Sequence, residues 1–97
     1  MNYFATMRAF AHVVELGSFS KAAEEEGIKV STVSRYISAL ETDLGAALFN
    51  RSTRAQHLTE VGRHFHGHVV RILDDLGQAR LTATSLNARP QIGRAHV

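Results

Sequence analysis

A cluster of hydroxyl side chains around one arginine lies in the middle of the sequence, at spacings that a helix would gather onto one face. Exposed helix faces usually favour Glu, Lys and Gln, because Ser and Thr are poor helix formers. The hydroxyl groups can donate and accept hydrogen bonds, and a planar guanidinium can make two parallel bonds to a phosphate or a guanine edge. This surface predicts recognition of a polar, anionic partner by Ser31, Thr32, Ser34, Arg35 and Ser38.

Histidines form a second candidate group, with His64, His66 and His68 close together and His57 before them. His64 and His68 are one helical turn apart, but the Glu that a metalloprotease helix needs is missing, and the chain has no Cys. Two alternatives to a metal site remain: the histidines lie at exposed helix positions, or His64 or His66 contacts a phosphate. Paired carboxylates, a nucleophile elbow and a phosphate-binding glycine loop are also lacking from the sequence. We therefore expect no metal, no other cofactor and no enzymatic activity.

The charge distribution also favours an anionic partner. Residues 1–50 carry four basic and six acidic side chains, a net charge of −2, whereas residues 51–97 carry seven Arg and three acidic side chains, a net charge of +4. The run Glu24–Glu26 is expected to be a solvated acidic face that repels anions. No apolar run approaches the ~18–20 residues of a membrane span, and no signal-peptide pattern is present, so we expect a cytoplasmic protein.

Three helices are predicted to position the hydroxyl cluster, since 44% of the residues are hydrophobic and they recur with helical spacing. The first covers residues 2–16. The second is short, covers residues 21–26 and has Ser18 or Ser20 as its N-cap. The third begins within residues 29–31 and runs to residue 44, where a glycine stops it.

A β-hairpin and a long helix complete the predicted architecture. Two short apolar-ended pieces flank a polar tip within residues 48–59, which predicts the hairpin. Thr59 then caps a helix that starts at Glu60 and reaches at least residue 86. Apolar residues recur along it with the heptad spacing of a coiled coil, which predicts a homodimer seam formed by Phe65, Val69, Ile72, Leu76, Ala79, Ala83 and Leu86.

Together these elements predict a mainly α fold: a winged helix-turn-helix (three helices plus a short β-hairpin wing), followed by a long dimerisation or linker helix. An α-helix fits the major groove of B-form DNA, where base edges display distinguishable donors and acceptors, and small side chains let it approach them. Arg35 has the reach for a guanine edge or a phosphate, and Arg54 at the hairpin tip can enter an adjacent minor groove.

An ordered set of short motifs runs through residues 4–65. They are Phe10, Gly17-Ser18-Phe19-Ser20, Ala22-Ala23, Val33-Ser34-Arg35, Ile37, Leu40-Glu41, Leu44-Gly45, Leu48-Phe49, Arg51, Arg54 and Leu58-Thr59-Glu60-Val61-Gly62. With this set, the segment resembles the N-terminal DNA-binding domain of LysR-type transcriptional regulators. The resemblance implies a homodimer, often a dimer of dimers, that binds promoter DNA and responds to a small metabolite through a larger C-terminal domain, which these 97 residues do not include.

Carried over by motif, the resemblance implies wing contacts with DNA by Arg51 and Arg54, and recognition-helix contacts by the five residues of the hydroxyl cluster. Lys29 and Tyr36 are further candidates for phosphate contacts. Three structural alternatives remain open. Arg35 could pair with a carboxylate on its own helix, Arg51 could anchor the hairpin through backbone carbonyls, and the hydroxyls could cap the helix or bond back to it.

The predicted organisation is a DNA-binding domain over residues 1–59, a linker or dimerisation helix over 60–88, and a tail over 89–97 that is a hinge remnant or an appended sequence. The predicted function is sequence-specific binding of promoter DNA by a nucleoid-associated homodimer, with a tetramer left open for the full-length protein. An oligomerisation or protein-interaction module built on the long helix is the alternative.

Overall fold

The structure is a computed structural model that describes residues 1–51 and 57–88. It confirms the predicted order of three helices, a two-stranded antiparallel hairpin and a long helix. Within the described ranges, none of the helices combines the length and the hydropathy needed to cross a membrane. The elements in chain order are α1 (Tyr3–Leu16), α2 (Phe19–Glu26), α3 (Val30–Leu44), β1 (Phe49–Asn50), β2 (His57–Leu58) and α4 (Glu60–Ala88).

Polar caps and left-handed glycines set the ends of the helices. Ser18, and not Ser20, caps α2, because its hydroxyl accepts a hydrogen bond from the Lys21 amide at 2.9 Å. The helix therefore begins at Phe19, earlier than the sequence predicts. It ends at Gly27, whose φ of 69° lies in the left-handed region that favours glycine. This tight turn brings the chain directly into α3.

The hydrophobic core is centred on Phe10 of α1, which is fully buried. Its ring centroid lies 5.6 Å from that of Phe49 and 5.5 Å from that of Phe65, so that α1, β1 and α4 meet around one aromatic side chain. α3 packs against this core with one continuous row of fully buried side chains, formed by Val33, Ile37 and Leu40. Because that row is fixed in the core, the opposite face of α3 points outward.

The base of the hairpin is held tightly against the start of α4. Thr59 caps α4 as predicted, because its hydroxyl accepts a hydrogen bond from the Gly62 amide at 2.9 Å. The same hydroxyl donates to the Ala47 carbonyl at 2.7 Å, and the Thr59 amide donates to the Leu48 carbonyl at 3.0 Å. Gly62 is buried, and a Cβ atom there would collide with the Leu48 carbonyl oxygen. Only glycine permits this approach.

α4 contains 29 residues, which corresponds to about 43 Å at 1.5 Å per residue. The structure corrects the predicted seam at Val69, which is fully buried in the core of its own chain and cannot reach a partner. Phe65 is also half-buried against that core. Heptad spacing identifies an apolar stripe, but it does not tell which helix covers the stripe. The other five predicted seam residues are exposed: Ile72, Leu76, Ala79, Ala83 and Leu86.

Candidate nucleic-acid interface

The outward face of α3 brings most of the hydroxyl cluster together. Ser31, Ser34, Arg35 and Ser38 are all exposed. Spacings of three, four and seven residues from Ser31 place them on one side of the helix. Thr32 is only half-buried and flanks this side. The face is a strip of small polar groups with one long cation, carried by a helix whose other side is fixed in the core.

The hydroxyls of this face have no hydrogen-bond partner among the described residues. This holds for Ser31, Thr32, Ser34 and Ser38. By contrast, the Thr6 hydroxyl of α1 bonds back to its own helix, donating to the Tyr3 carbonyl at 2.8 Å. The structure thus does not show the back-bonding alternative on α3. Its hydroxyls are free for an external partner.

The cationic groups near this face differ in how they are held. Arg35 makes no ion pair with any carboxylate in residues 1–51 and 57–88, so the intrahelical alternative is not seen. Lys29 is exposed at the N-cap of α3 and makes no side-chain capping bond. Tyr36 is half-buried at the edge of the face. Lys29 and Arg35 can therefore both reach outward from the first turns of α3.

Arg51 is tied to α3 through Glu41. Its Nη2 lies 2.9 Å from Oε1 of Glu41, and the other carboxylate oxygen accepts a hydrogen bond from the Leu48 amide at 2.7 Å. The anchor is a carboxylate and not the backbone carbonyls considered above as an alternative. The Arg51 side chain is still 51% exposed, so its remaining donors face solvent. Arg54, the second wing candidate, lies outside the described residues.

Glu26 contradicts the predicted solvated acidic face, since its side chain is only 9% exposed. Its Oε1 accepts hydrogen bonds from Nε and Nη2 of Arg8 at 3.1 and 2.9 Å. The His12 Nδ1 lies 2.6 Å from Oε2, without the alignment of a hydrogen bond. The hydrogen bond to Glu26 raises the pKa of Arg8 above its ordinary value. Glu24 and Glu25 are exposed, as predicted.

This ion-pair cluster positions the helix-turn-helix, because it joins α1 to the last turn of α2, just before Gly27. Sequence reasoning missed it, although one signal was present. Arg8 and His12 are one turn apart on α1 and offer two nitrogen groups to a carboxylate on a neighbouring helix.

A second long-range bond fixes the far end of α3. The Tyr3 hydroxyl donates to the Asp43 carboxylate at 2.7 Å and links the start of α1 to the last turn of α3. This hydrogen bond, with smaller contributions from desolvation and from the negative charge of Asp43, raises the pKa of Tyr3 above 10.0. α3 is therefore held by side-chain bonds as well as by its buried row.

The histidines do not assemble into a metal site in the part of the chain that the structure describes, where no group of three His, Cys, Asp or Glu side chains converges. His66 packs edge-on against Phe10, with ring centroids 6.0 Å apart. His64 and His68 are exposed beside a shallow groove formed with Val61 and Phe65.

Comparison with known proteins gives a consistent family match. A model of the bacterial regulatory helix-turn-helix proteins of the lysR family matches residues 4–63. An HTH-type transcriptional regulator of Xanthomonas campestris pv. campestris (strain 8004) is 44% identical over 82 residues, which cover 84% of this chain and 24% of that protein. The HTH-type transcriptional regulator CrgA of Neisseria meningitidis serogroup C (strain 8013) is 40% identical over 85 residues, covering 88% of this chain and 28% of CrgA. The chain thus spans about a quarter of the length of these relatives.

The fold is also found in a protein crystallised with DNA. The BenM_DBD/catB site 1 DNA complex superposes with a TM-score of 0.84 at 30% sequence identity, over 90% of this chain and 97% of that chain. The likeness therefore covers nearly all of that protein chain.

Proposed function

Because the chain belongs to the LysR family of bacterial regulatory helix-turn-helix proteins, we propose that it binds promoter DNA sequence-specifically and regulates transcription. In this proposal α3 is the recognition helix in the major groove, and the hairpin is a wing over the adjacent minor groove. Residues 1–59 form the DNA-binding part. A small-molecule effector would act through a C-terminal domain and not through these residues.

The free hydroxyl face of α3 is the observation that carries the proposal. A helix with a fixed outward side, small polar side chains and one arginine can approach base edges closely and pair with them. Lys29 at the start of α3 and Arg51 at the base of the wing flank this side with positive charge, which suits phosphate contacts. Thr32, Tyr36 and Arg54 complete the proposed interface.

The proposal includes a homodimer formed through α4, because apolar side chains continue along the helix beyond the core of its own chain. Ile72, Leu76 and Leu86 are 48%, 41% and 50% exposed. With Ala79 and Ala83 between them, they form a seam that a second α4 would cover. Residues 60–88 are then a dimerisation helix, and two recognition helices read a palindromic site. Such a protein works at the nucleoid, in the cytoplasm.

DNA binding is tested by selecting sites from a random DNA pool and titrating a selected site by fluorescence anisotropy at several salt concentrations. The logarithm of the binding constant should fall linearly with the logarithm of salt concentration, with a slope of about −0.9 per neutralised phosphate. Failure to enrich any sequence, or binding that does not depend on salt, would contradict the proposal.

The substitution Arg35→Ala separates DNA reading from a purely oligomeric function. Loss of this side chain should weaken binding to the selected site by about 1–3 kcal/mol per contact. The matched control is Arg71→Ala, which removes another exposed arginine, on α4 and off the seam, and should bind normally. If α4 made the chain only an oligomerisation module, Arg35→Ala would leave every activity unchanged.

The dimer is tested by Leu76→Asp in sedimentation equilibrium, where a charge in the seam should give monomers. Leu81→Asp is the control, because Leu81 is 64% exposed and lies roughly 140° around the helix from Leu76 at 100° per residue. If both variants sediment with the same molar mass as the unsubstituted protein, the proposed seam is wrong.

A further inference from the structure

Val30 is an exposed apolar residue at the N-terminal tip of α3, in line with the buried row and next to the outward face. It is the first residue of the helix, and it is 45% exposed, whereas Val33 and Ile37 further along are fully buried. Side chains of an α-helix lean toward its N-terminus. The isopropyl group of Val30 therefore projects past the end of the core, beside the free hydroxyls of Ser31 and Ser34.

This position has a direct chemical consequence for a helix that enters a major groove. Residues in the first turn of a recognition helix contact base edges. Valine offers neither a hydrogen-bond donor nor an acceptor, and the thymine C5 methyl is the apolar group that base pairs display in the major groove. Branching at Cβ restricts the rotamers of the side chain, so its two methyl groups present a defined shape.

We propose that Val30 is a specificity-determining residue that contacts the methyl group of one thymine in each half-site of the operator. The inference rests on the proposed function and adds to it a specific contact, between the Val30 side chain and a thymine. Ser31 and Ser34 bond to neighbouring polar groups of the DNA, while Val30 removes the thymine methyl from water. The preference for thymine then arises from apolar burial and not from a hydrogen bond.

The test replaces thymine by deoxyuridine, one position at a time and symmetrically in both half-sites, in a site selected with the 97-residue chain. Uracil has the same hydrogen-bonding groups as thymine but no C5 methyl. The unmodified protein should lose affinity at one position per half-site, by about fourfold for each buried methyl group. Val30→Ala should bind the thymine site more weakly and should no longer distinguish thymine from uracil at that position.

Val61→Ala is a matched control, since Val61 is also 45% exposed and lies in the first turn of α4. This variant should keep the full sensitivity to uracil. Thermal unfolding of both variants should show similar stability, which separates loss of base reading from damage to the fold.

The inference is overturned if every deoxyuridine-substituted site binds the unmodified protein as tightly as the parent site does. It is also overturned if Val30→Ala keeps the same uracil sensitivity as the unmodified chain. Both results leave sequence-specific binding itself intact. If the unmodified chain selects no site at all, the proposed function fails before this experiment begins.

Discussion

Replacing Gly62 by Ala should destabilise the protein, although Gly62 lies within a helix where alanine is normally preferred. The helix begins at Glu60, and its first turn lies directly against the chain that leads into β1. A Cβ atom at Gly62 would collide with the Leu48 carbonyl oxygen and would lie 3.0 Å from Cδ2 of Leu58. The oxygen belongs to the backbone and accepts a hydrogen bond from the Thr59 amide, so it cannot move without disturbing the base of the hairpin.

The size of the effect follows from comparison with Gly67→Ala in the same helix. Nothing lies within 4 Å of a Cβ atom built at Gly67. Each alanine gains about 1 kcal/mol of helix propensity over glycine. This gain is common to both variants, so their difference isolates the cost of crowding, about 1–3 kcal/mol for an overpacked site. Gly67→Ala should stabilise the chain, and Gly62→Ala should be less stable than Gly67→Ala by that difference.

Thermal unfolding followed by circular dichroism, at equal protein concentrations, measures this difference. A change of 1 kcal/mol moves the Tm of a domain of this size by about 4–8 °C, so the two variants should melt at least about 4 °C apart. Equal melting temperatures would refute the close approach of α4 to the strand segment. Under the proposed function, Gly62→Ala should also weaken DNA binding more than Gly67→Ala, because the displaced segment leads into the hairpin proposed as the wing.

Three other changes test the bonds that hold the helices. Glu26→Gln should lower the free energy of unfolding by about 1–3 kcal/mol in urea titrations, because the acceptor of the Arg8 hydrogen bonds loses its negative charge. Asp43→Asn should lower the pKa of Tyr3 toward its ordinary value in an absorbance titration, because a neutral amide oxygen is a weaker acceptor than the carboxylate and carries no negative charge. The stabilisation from this bond is fully present below pH 10 and is lost as pH rises through the raised pKa of Tyr3. Ser18→Ala should cost about 1 kcal/mol in thermal unfolding, because α2 loses its cap.

Each of these changes has a control in the same part of the chain. Glu25→Gln alters an exposed acid on α2 and should change stability by less than about 0.5 kcal/mol. Tyr36→Phe removes the other tyrosine of the chain, so that absorbance reports Tyr3 alone. Ser20→Ala leaves the cap of α2 in place and should be neutral or slightly stabilising. If a control variant changes the measured stability or pKa as much as the variant with which it is paired, the assigned bond is wrong.

Local patterns were sufficient to predict the helices, because the signals for their ends lie next to the helices in the sequence. Gly17, Gly27 and Gly45 all adopt positive φ at the C-caps where the periodic apolar residues stop. The start of α2 was less well predicted, since Ser18 and Ser20 are equally good caps by composition. The choice of Ser18 extends the helix to include Phe19, whose ring lies 6.1 Å from that of Phe49. That tertiary contact is invisible in a local pattern.

The errors arose where a side chain meets a partner that is distant in sequence. Glu26 was predicted to be solvated with its two acidic neighbours, but Arg8 and His12 reach it from another helix. Val69 fits the heptad pattern, but it is fully buried in the core of its own chain, so a second chain cannot reach it. The pairing of Arg51 with Glu41 likewise depends on how the wing folds back onto α3. Composition and spacing do not contain this information.

The outward side of α3 is replaceable, because its hydroxyls take no part in holding the described residues together. Exposed positions without special contacts usually tolerate substitution within about 0.5 kcal/mol. Positions 31, 34, 35 and 38 can thus be exchanged as a block while the buried row beneath them is left unchanged. A library randomised at these four positions should retain its fold. Under the proposed function, its members would bind different DNA sites, and the domain would be a scaffold for selecting new DNA-binding specificities.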